Sequence, residues 1–448
     1  MQELNKLEKI ISLAKRRGFI YPGSEIYGGL AGTWDYGPLG VELKNNIKNS
    51  WWNYFVLERS DMYGIDAAIL MNSKVWEASG HTAGFADPLT ECKNCHKRFR
   101  ADHIGQTVGE QNVWKLPESC PNCGKKEVWT PVRQFNMMFR TFIGPVEDTA
   151  AQIYLRPETA QGMFVNFTNI VDSFHPKLPF GLAQIGKAFR NEITPKDFIF
   201  RAREFEQMEI EYFIKPPKGE EWLADFNKWA ENIRNWLESV GINKEAIHEL
   251  DIPKDELSHY SKKTIDFEYD FPFGRKELSG FAYRTDFDLK AHNINYYDEE
   301  TKERFIPHVF EPSFGVDRTV LALLCEAYKE DELGGETRVF LKFKPNIAPI
   351  KVAVFPLLKN KLELVNKAKE VFAEIKKEIK PIVFDDNGNI GKRYRRQDEI
   401  GTPFCVTIDF DTLENDTATV RDRDTGKQER VKISELAKRL KKDIYEKE

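Results

Sequence analysis

Residues 181–213, GLAQIGKAFRNEITPKDFIFRAREFEQMEIEYF, decide the fold. Alternate side chains of an extended strand point to the same face, so one face of the first half carries Gln184, Gly186, Ala188, Arg190 and Glu192. The proline-containing segment 193–197 interrupts the alternation and predicts a loop. The second half then presents Arg201, Arg203, Phe205, Gln207 and Glu209 on one face. This pattern predicts a long antiparallel hairpin that collects arginines, an aromatic ring and carboxylates on one surface.

Such a surface suits a nucleoside triphosphate. Guanidinium groups match phosphate oxygens in charge and geometry, a phenylalanine ring can stack on a purine, and a glutamate can accept a hydrogen bond from an exocyclic amine. The sequence contains no Gly-rich phosphate loop of the Walker or Rossmann kind, so side chains would have to hold the nucleotide. The pattern alone leaves open an ordinary hairpin whose charged face is solvated.

The hairpin resembles motif 2 of the class II aminoacyl-tRNA synthetases, seen here as Phe189-Arg190-Asn191-Glu192, a loop, and Arg201-Ala202-Arg203-Glu204-Phe205. Residues 305–324, FIPHVFEPSFGVDRTVLALL, indicate a strand that continues into an apolar helix, and they resemble motif 3 of the same class. Arg318 lies in the first turns of this helix and needs an anionic partner or a path to water. An arginine that simply reaches the surface is the alternative.

Three further segments resemble parts of the same enzymes. Residues 154–164, YLRPETAQGMF, resemble the loop that holds the substrate ammonium, although they also fit a helix start. Residues 277–289, ELSGFAYRTDFDL, predict an acidic strand whose carboxylates could bind Mg²⁺, with an ordinary acidic edge strand as the alternative. Residues 27–40 and a helix over 41–55 resemble motif 1, which forms the dimer interface in this class, whereas an internal core helix fits the same pattern.

Four cysteines form two CxxC pairs with 24 residues between them: Cys92, Cys95, Cys120 and Cys123. Two such pairs, each beside turn-forming residues, predict a tetrahedral zinc site that orders an insertion. Four unrelated thiols, or a redox dithiol, are the alternatives. Cys325 and Cys405 lie in apolar runs and are expected to be buried and inert.

Composition bounds the class of protein. The chain has 448 residues, 31% of them charged and 12% aromatic, which is typical of a globular protein. The formal net charge of −5 predicts no global attraction to nucleic acid, so RNA would be met by local basic patches such as Lys392, Arg393, Arg395 and Arg396. That run also fits a solvated helix. The N-terminus is no secretory signal, and the longest uncharged run, 159–171, is too short to span a bilayer, so we expect a cytoplasmic protein.

Two domains are expected. Mixed strands and helices without regular βαβ alternation predict an α+β catalytic domain over 1–345, an antiparallel sheet flanked by helices. Insertions are expected at about 89–129 and 215–263. After a proline-bearing connector at 342–349, a compact α/β pattern predicts a second domain over 346–448, with strands at 351–357, 381–386, 404–410 and 417–423 and helices near 365–375 and from 434. This region is similar to the anticodon-binding domain of the glycyl, threonyl, prolyl and histidyl enzymes.

Together the segments are most similar to the glycyl-tRNA synthetases of the homodimeric, single-chain type, through residues 36–40, 156–159, 277–280, 284–288 and 311–313. The resemblance implies a ligase that activates glycine with ATP and Mg²⁺ and transfers it from glycyl-adenylate to the 3′ end of tRNA(Gly), releasing AMP and pyrophosphate. A synthetase for serine or proline is an alternative. A non-catalytic relative that binds nucleic acid or a polymerase is another, but it would be expected to lack the ATP-binding arginines.

The resemblance also implies a role for each matching residue. Arg190 and Arg318 are the expected catalytic residues, with Arg190 at the α-phosphate. ATP is expected at Arg190, Asn191, Glu192, Phe200, Arg201, Ala202, Arg203, Glu204, Phe205, Glu277, Leu278, Gly315, Val316, Asp317 and Arg318. The amino acid is expected at Arg100, Glu158, Phe205, Glu206, Gln207, Met208, Glu209, Glu311, Pro312, Ser313, Phe314 and Gly315. Magnesium is expected at Glu277, zinc at Cys92, Cys95, Cys120 and Cys123.

Overall fold

The computed structural model of the chain describes residues 5–108, 113–145, 147 and 151–446. Within them the α-helices are α1 Lys6–Arg17, α2 Pro38–Trp52, α3 Ser73–Ala78, α4 His81–Gly84, α5 Ala101–Ile104, α6 Ala160–Val165, α7 Phe167–Phe174, α8 Trp222–Ser239, α9 Phe287–Ala291, α10 Val316–Ala327, α11 Leu362–Glu378, α12 Ile390–Ile400, α13 Phe410–Asn415 and α14 Ile433–Tyr445. Short 3₁₀ turns lie at Glu25–Tyr27, Phe198–Phe200 and Lys244–Ala246, and a π-helical turn, Asn53–Leu57, extends α2.

The strands of the first domain are β1 Ile20–Pro22, β2 Trp34–Tyr36, β3 Met62–Gly64, β4 Ala86–Glu91, β5 Arg98–Arg100, β6 Gln106–Val108, β7 Val113–Lys115, β8 Arg133–Asn136, β9 Arg140–Phe142, β10 Gln152–Tyr154, β11 Phe180–Phe189, β12 Glu204–Ile214, β13 Ile247–Asp251, β14 Lys263–Phe271, β15 Gly274–Thr285, β16 Tyr296–Asp298, β17 Glu303–Phe305, β18 His308–Gly315, β19 Tyr328–Leu333 and β20 Glu336–Leu341. The second domain contains β21 Val352–Pro356, β22 Ile382–Phe384, β23 Phe404–Ile408, β24 Thr417–Asp422 and β25 Gln428–Lys432.

A seven-stranded sheet organises the first domain, in the order β13-β14-β15-β18-β12-β11-β3. Its pairs are antiparallel except for the edge pair of β11 and β3, which confirms the predicted α+β architecture. One face packs against α2, α8 and α10 and buries an aromatic core that includes Trp51, Trp236 and Phe314. The other face is covered by α6 and α7 at one end only. The uncovered part of that face is therefore free to form a site.

The predicted hairpin forms two adjacent inner strands of this sheet. Strands β11 and β12 pair in register from Phe180 opposite Phe213 to Phe189 opposite Glu204. The second strand begins at Glu204, later than the alternation of residues 201–209 indicated. The delay arises because Asp197 and Phe198 have positive φ and start a 3₁₀ turn, which buries the apolar residues 198–200 in the core. Residues 201–203 thus cross the mouth of the hairpin as irregular backbone.

The segment 215–263, expected as an insertion, packs into the main core of the domain. The apolar face of α8 buries three tryptophans, Trp222, Trp229 and Trp236, against the sheet. The next strand, β13, extends the same sheet at its edge. Burial of large aromatic side chains is strongly stabilising, so this segment is part of the scaffold of the domain.

The second domain has its own apolar core around a five-stranded sheet in the order β22-β21-β23-β24-β25, with α11 and α14 packed on it. The strands and helices predicted after the connector are confirmed within a few residues. A buried ionic network joins the domains: Arg338 of β20 is fully buried and donates to Asp331 (2.8 and 2.6 Å) and to Asp398 of α12 (3.3 Å). In the described part of the chain, no helix combines the length and apolar character needed to cross a membrane.

Candidate active site

A cleft opens on the uncovered face of the central sheet, at the mouth of the β11–β12 hairpin. Strands β12, β15 and β18, the turn at 198–203 and the start of α10 form its walls. Most of the residues that line it belong to the predicted ATP-binding set. The lining consists of Arg190, Glu192, Ile199, Phe200, Arg201, Ala202, Phe205, Gln207, Glu277, Leu278, Ser279, Ser313, Gly315, Asp317 and Arg318. Hairpin and motif 3 residues therefore meet in one place, as expected from the sequence.

Arg190 follows β11 and is held at the rear of the cleft. Its Nε donates to the carbonyl of Pro157 (3.0 Å), and its guanidinium lies 5.4 Å from the ring centre of Phe85 and 5.3 Å from that of Phe205. One fixed hydrogen bond and two aromatic rings orient the fork, and its remaining N–H groups are available to an anion.

Arg318 lies in the first turn of α10 on the opposite wall. Its Nη1 is 3.0 Å from the Oε2 of Glu277 and donates to the Glu277 carbonyl (3.0 Å), and its guanidinium lies 4.5 Å from the Phe200 ring centre. The positive charge of Arg318 holds the pKa of Glu277 below its usual range. Glu277 is therefore a carboxylate that faces the cleft, with nearly half of its side chain exposed.

Several buried polar atoms of the cleft have no hydrogen-bond partner among the described residues: Glu192 Oε2, Arg201 Nη1, Gln207 Oε1 and Ser279 Oγ. Buried polar groups in native proteins are nearly always satisfied. Donors and acceptors are both present in this set, so the cleft is built for a ligand that offers both, as a nucleotide does.

A second, carboxylate-lined pocket lies beside the cleft on the same sheet face. The register pairs Glu209 of β12 with Ser313 of β18, and Glu209 accepts hydrogen bonds from Ser313 Oγ (2.8 Å) and Thr159 Oγ1 (2.5 Å). Glu158 contributes a second carboxylate, 3.4 Å from His81 Nε2 and 3.1 Å from Gln161 Nε2. Burial opposes its ionisation, but His81 and Arg284 hold the pKa of Glu158 below its usual range.

Arg284 balances the charge of this pocket, a role that the sequence did not assign to it. It is almost fully buried and donates to both carboxylate oxygens of Asp288 (2.7 and 2.8 Å) and to Glu311. The i,i+4 spacing of Arg284 and Asp288 was the available signal, but the contact with Glu311 depends on the pairing of β15 with β18. Burial, followed by the neighbouring Glu158 carboxylate, nevertheless raises the pKa of Glu209.

The structure corrects the predicted position of Glu206. Odd-numbered positions of β12 face the pocket, so Glu206 points to the other side of the sheet, where it forms ion pairs with Lys44 (2.9 Å) and Lys48 (3.2 Å) of α2. The same alternation places three further predicted residues on the helix-covered face: Met208, Pro312 and Phe314. Val316, the first residue of α10, is buried in the apolar core.

The structure also places Arg203, one of the expected ATP-binding residues, outside the cleft lining. Its Nη1 donates to the carbonyl of Ala31 (2.7 Å) and its Nη2 to that of Glu192 (3.2 Å), so it anchors the 24–33 loop to the hairpin. Glu204 is exposed and lies 2.9 Å from Lys187. Asp317 accepts from Tyr36 Oη (2.5 Å) and from the Glu206 amide (2.7 Å), which occupies both of its oxygens.

Two further predicted residues lie beside the cleft. The Asn191 backbone N–H donates to the carbonyl of Met137 (2.7 Å). Arg100 lies between Asp87 (2.5 Å) and Asp102 (2.6 Å), at the base of the cysteine-bearing insertion. Glu192 acts on Arg100 at longer range and adds to the rise in its pKa, after the nearer carboxylates Asp102 and Asp87. Arg100 thus connects the insertion to the cleft.

The four predicted cysteine ligands converge. Their sulfur atoms lie within 4.8 Å of one another, with Sγ–Sγ distances of 3.7 Å from Cys92 to Cys123 and 3.8 Å from Cys95 to Cys120. A tetrahedral Zn²⁺ with Zn–S bonds of about 2.3 Å has sulfur–sulfur edges of about 3.8 Å. The four thiols therefore fit a zinc ion and are too far apart to be disulfides.

Comparisons with known proteins match this architecture. A family described as "tRNA synthetase class II core domain (G, H, P, S and T)" matches residues 142–328, and one described as "Anticodon binding domain" matches 351–443. These domains and the cleft on the antiparallel sheet define a class II aminoacyl-tRNA synthetase.

The most similar relatives identify the family within this class of synthetases. A glycine–tRNA ligase of Clostridium acetobutylicum is 53% identical over 99% of this chain and 100% of its own length. Those of Bacillus cereus (52%, 98% of this chain and 99% of the relative) and Thermobifida fusca (51%, 97% of each) are similarly close. The chain belongs to the glycine–tRNA ligase family.

Proposed function

We propose that this protein joins glycine to tRNA(Gly) in two steps. The carboxylate of glycine attacks the α-phosphorus of ATP, which gives glycyl-adenylate and pyrophosphate, and a terminal ribose hydroxyl of the tRNA then attacks the activated carbonyl and releases AMP. One observation carries the proposal: the arginine-lined cleft and the carboxylate pocket adjoin on one sheet face, with Ser313 on the border of both. A triphosphate and an ammonium can therefore be bound side by side.

In this proposal the cleft residues divide the nucleotide among them. Arg190 binds the α-phosphate, and Arg201 and Arg318 bind the β- and γ-phosphates. Phe205 stacks on the adenine, whose amine donates to the unpartnered Glu192 Oε2. Arg203 supports this arrangement by fixing the loop at Ala31 and takes no phosphate.

Glu277 is the proposed Mg²⁺ ligand. It fits this role because it is ionised, faces the cleft and lies on the same wall as Arg318. Mg²⁺ in such sites takes one or two protein carboxylates together with substrate phosphates, and its charge would neutralise the triphosphate. The protein itself supplies orientation: the fixed guanidinium groups stabilise charge that develops on phosphate oxygens, and no protein nucleophile is needed.

The carboxylate pocket is the proposed glycine site. Glu158, Glu209 and Glu311 attract the ammonium, and Ser313 occupies the space where the Cβ of alanine would lie. A pocket cannot select glycine by attraction, because an added methyl group would gain about 1–3 kcal/mol of apolar contact. Selection therefore depends on the wall formed by Ser313, whose hydroxyl is fixed by Glu209.

We propose a structural zinc ion at the four cysteines, because the sulfur geometry fits and the site lies on an insertion with few apolar contacts of its own. Zinc thiolates persist in reducing compartments, which agrees with a cytoplasmic protein. The ion would hold the insertion, and through it Arg100, beside the nucleotide cleft.

Residues 346–448 are the proposed tRNA anticodon-binding domain, and 1–345 the catalytic domain. Of the basic run in α12, Arg393 is not a surface residue: it is buried and donates to the carbonyls of Asp386 and Gly388 (3.1 and 2.7 Å). The other three cations of the run are Lys392, Arg395 and Arg396. They line a groove between the domains, together with Arg17, Glu336, Asn389 and Gly391. This groove, with a net positive charge, is the proposed contact for the RNA backbone.

A homodimer is proposed from the surface near motif 1. The side chains of Ile26 and Tyr27 are 88% and 86% exposed, and Leu30 and Val41 are also exposed. Large apolar side chains that are exposed close together in sequence favour an interaction site. The inner face of α2 packs in the core through Leu43, Ile47 and Trp51, so α2 serves the core on one side and is available to a partner on the other.

Glycine-dependent ATP–pyrophosphate exchange, measured across the twenty amino acids, tests the proposed function. Exchange should depend on glycine and be weak with alanine and serine. Exchange that is faster with serine or proline than with glycine would refute the glycine assignment. If none of the twenty amino acids supported exchange, a non-catalytic relative would be favoured.

A further inference from the structure

Glu211 is a buried carboxyl group that the proposed reaction does not use. It lies on β12, one alternate position beyond Glu209 and on the same face. The register pairs Glu209 with Ser313 and Tyr212 with Phe310, which places Glu211 opposite Glu311. Directly opposed residues of antiparallel strands have Cβ atoms about 4.5–5.5 Å apart. Two carboxyl groups therefore face each other at the back of the glycine pocket.

Among the described residues, no hydrogen-bond donor stabilises a negative charge on Glu211, and Arg284 acts on it only at longer range. Glu211 is 0% exposed, and neither carboxyl oxygen accepts a hydrogen bond from any residue that the structure describes. The guanidinium of Arg284 is already used by Asp288 and Glu311. An isolated carboxylate in such surroundings is strongly destabilised and takes up a proton instead.

The charged groups around the pair are mainly acidic. The groups that act on the pair are Glu209 on β12, Glu158, Arg284 on β15 and Asp288 on α9. Behind them lie His81 beside Glu158, His292 near Asp288, and Tyr260, whose ring centre is 4.0 Å from the Arg284 guanidinium. Burial, followed by the neighbouring carboxylates, raises the pKa of both Glu211 and Glu311. Two opposed acids of this kind titrate as a unit.

We propose that Glu211 and Glu311 share one proton in the glycine-free pocket, and that the ammonium of glycine displaces it. The inference rests on the proposed function, since glycine is the ligand. On binding, one carboxyl O–H bond breaks, the proton passes to solvent, and the new carboxylate pairs with the ammonium. A cation beside two acids favours their charged form, and this is the physical cause of the release. Glu211 is then a positioning residue that acts through Glu311.

Linkage gives the sign of the pH dependence. A ligand that releases a proton binds more tightly as the pH rises, by up to about tenfold per pH unit for one proton. In Glu211→Gln the neutral amide no longer repels a charge on Glu311, so Glu311 ionises in the free protein. Glycine should then bind without proton release and with an affinity that is nearly independent of pH.

Calorimetry tests the proposal. Glycine is titrated into the full-length protein near neutral pH in two buffers of different ionisation enthalpy, which reveals the number of protons released. Wild type and the exposed control Glu363→Gln should each release close to one proton per glycine bound. Glu211→Gln should release none. Binding to wild type without release, or equal release from Glu211→Gln, would overturn the inference. Failure of wild type to bind glycine would instead refute the proposed function.

Infrared difference spectroscopy of wild type supplies a measurement that needs no variant. The carbonyl stretch of a protonated carboxylic acid is distinct from that of a carboxylate. The inference requires such a band in the glycine-free protein and its loss when glycine is added. A spectrum in which glycine removes no protonated carboxyl band would contradict the shared proton, even if Glu211→Gln failed to fold.

Discussion

Replacing Arg190 by alanine should abolish glycine activation and leave the fold intact. In the structure Arg190 makes one hydrogen bond to the Pro157 carbonyl and contacts two rings. A hydrogen bond contributes about 1 kcal/mol and each aromatic–cation contact about 0.5–1 kcal/mol, so the variant loses about 2–3 kcal/mol of a total stability of about 5–15 kcal/mol and stays folded. The apolar positions of the hairpin that hold the sheet are unchanged.

The loss in catalysis should be much larger. A preorganised donor aimed at developing charge contributes about 2.7–4 kcal/mol, or about 10²–10³ in rate. Glycine-dependent ATP–pyrophosphate exchange should therefore fall by at least about 100-fold in Arg190→Ala. Arg190→Lys keeps the charge without the fork and should be intermediate. The matched control Arg234→Ala removes an arginine of α8 that pairs with Glu249 of β13, outside the cleft lining, and should exchange normally. A folded Arg190→Ala protein with near-normal exchange would refute the phosphate assignment.

Four further outcomes are expected. Ser313→Gly should admit alanine, raising its exchange relative to glycine by about tenfold or more, and unchanged selectivity would exclude Ser313 as the wall. Cys95→Ser should lower zinc content and melting temperature together, whereas full zinc retention would contradict the tetrahedral site. Joint replacement of Lys392 and Arg395 by alanine should weaken tRNA charging and flatten its salt dependence while exchange persists, and a parallel loss of exchange would indicate a structural role. Burial lowers the pKa of Lys351 to about 7, whereas the unfolded pKa is about 10.4. The charged lysine therefore destabilises the folded state at neutral pH, and this cost disappears at alkaline pH, where the lysine is neutral in both states. Lys351→Met should raise the melting temperature more at neutral than at alkaline pH, and a shift independent of pH would refute this.

Local sequence was sufficient for the elements of the fold that repeat a simple pattern. The period-two alternation of residues 181–213 predicted the hairpin and the shared face of Phe205, Gln207 and Glu209. It missed the late start of the second strand, because the positive φ at Asp197 and Phe198 is fixed by burial of the adjacent apolar residues in the core. A turn of that kind carries no glycine and so leaves little trace in the sequence.

The candidate site was predictable in its composition and less so in its contacts. Glu206 and Glu209 are three residues apart and chemically identical, but they lie on opposite faces of one strand and bind different partners. Arg203 and Arg201 were expected on one face but have different partners: Arg203 anchors the backbone at Ala31, and Arg201 lines the cleft. The chemical type of a side chain was visible, and its partner was not.

The sequence by itself determined which chemical groups the protein possesses: arginines on a hairpin, paired cysteines, and acidic segments in a fixed order. The tertiary structure alone decided which of these groups meet. The pairing of β15 with β18 brings Arg284 to Glu311 and leaves Glu211 without a donor. The physical reason is that strand alternation is set by neighbours along the chain, whereas the partner and protonation state of a buried charge depend on contacts between residues far apart in sequence, such as Arg284 with Glu311 and Glu211 with Glu311.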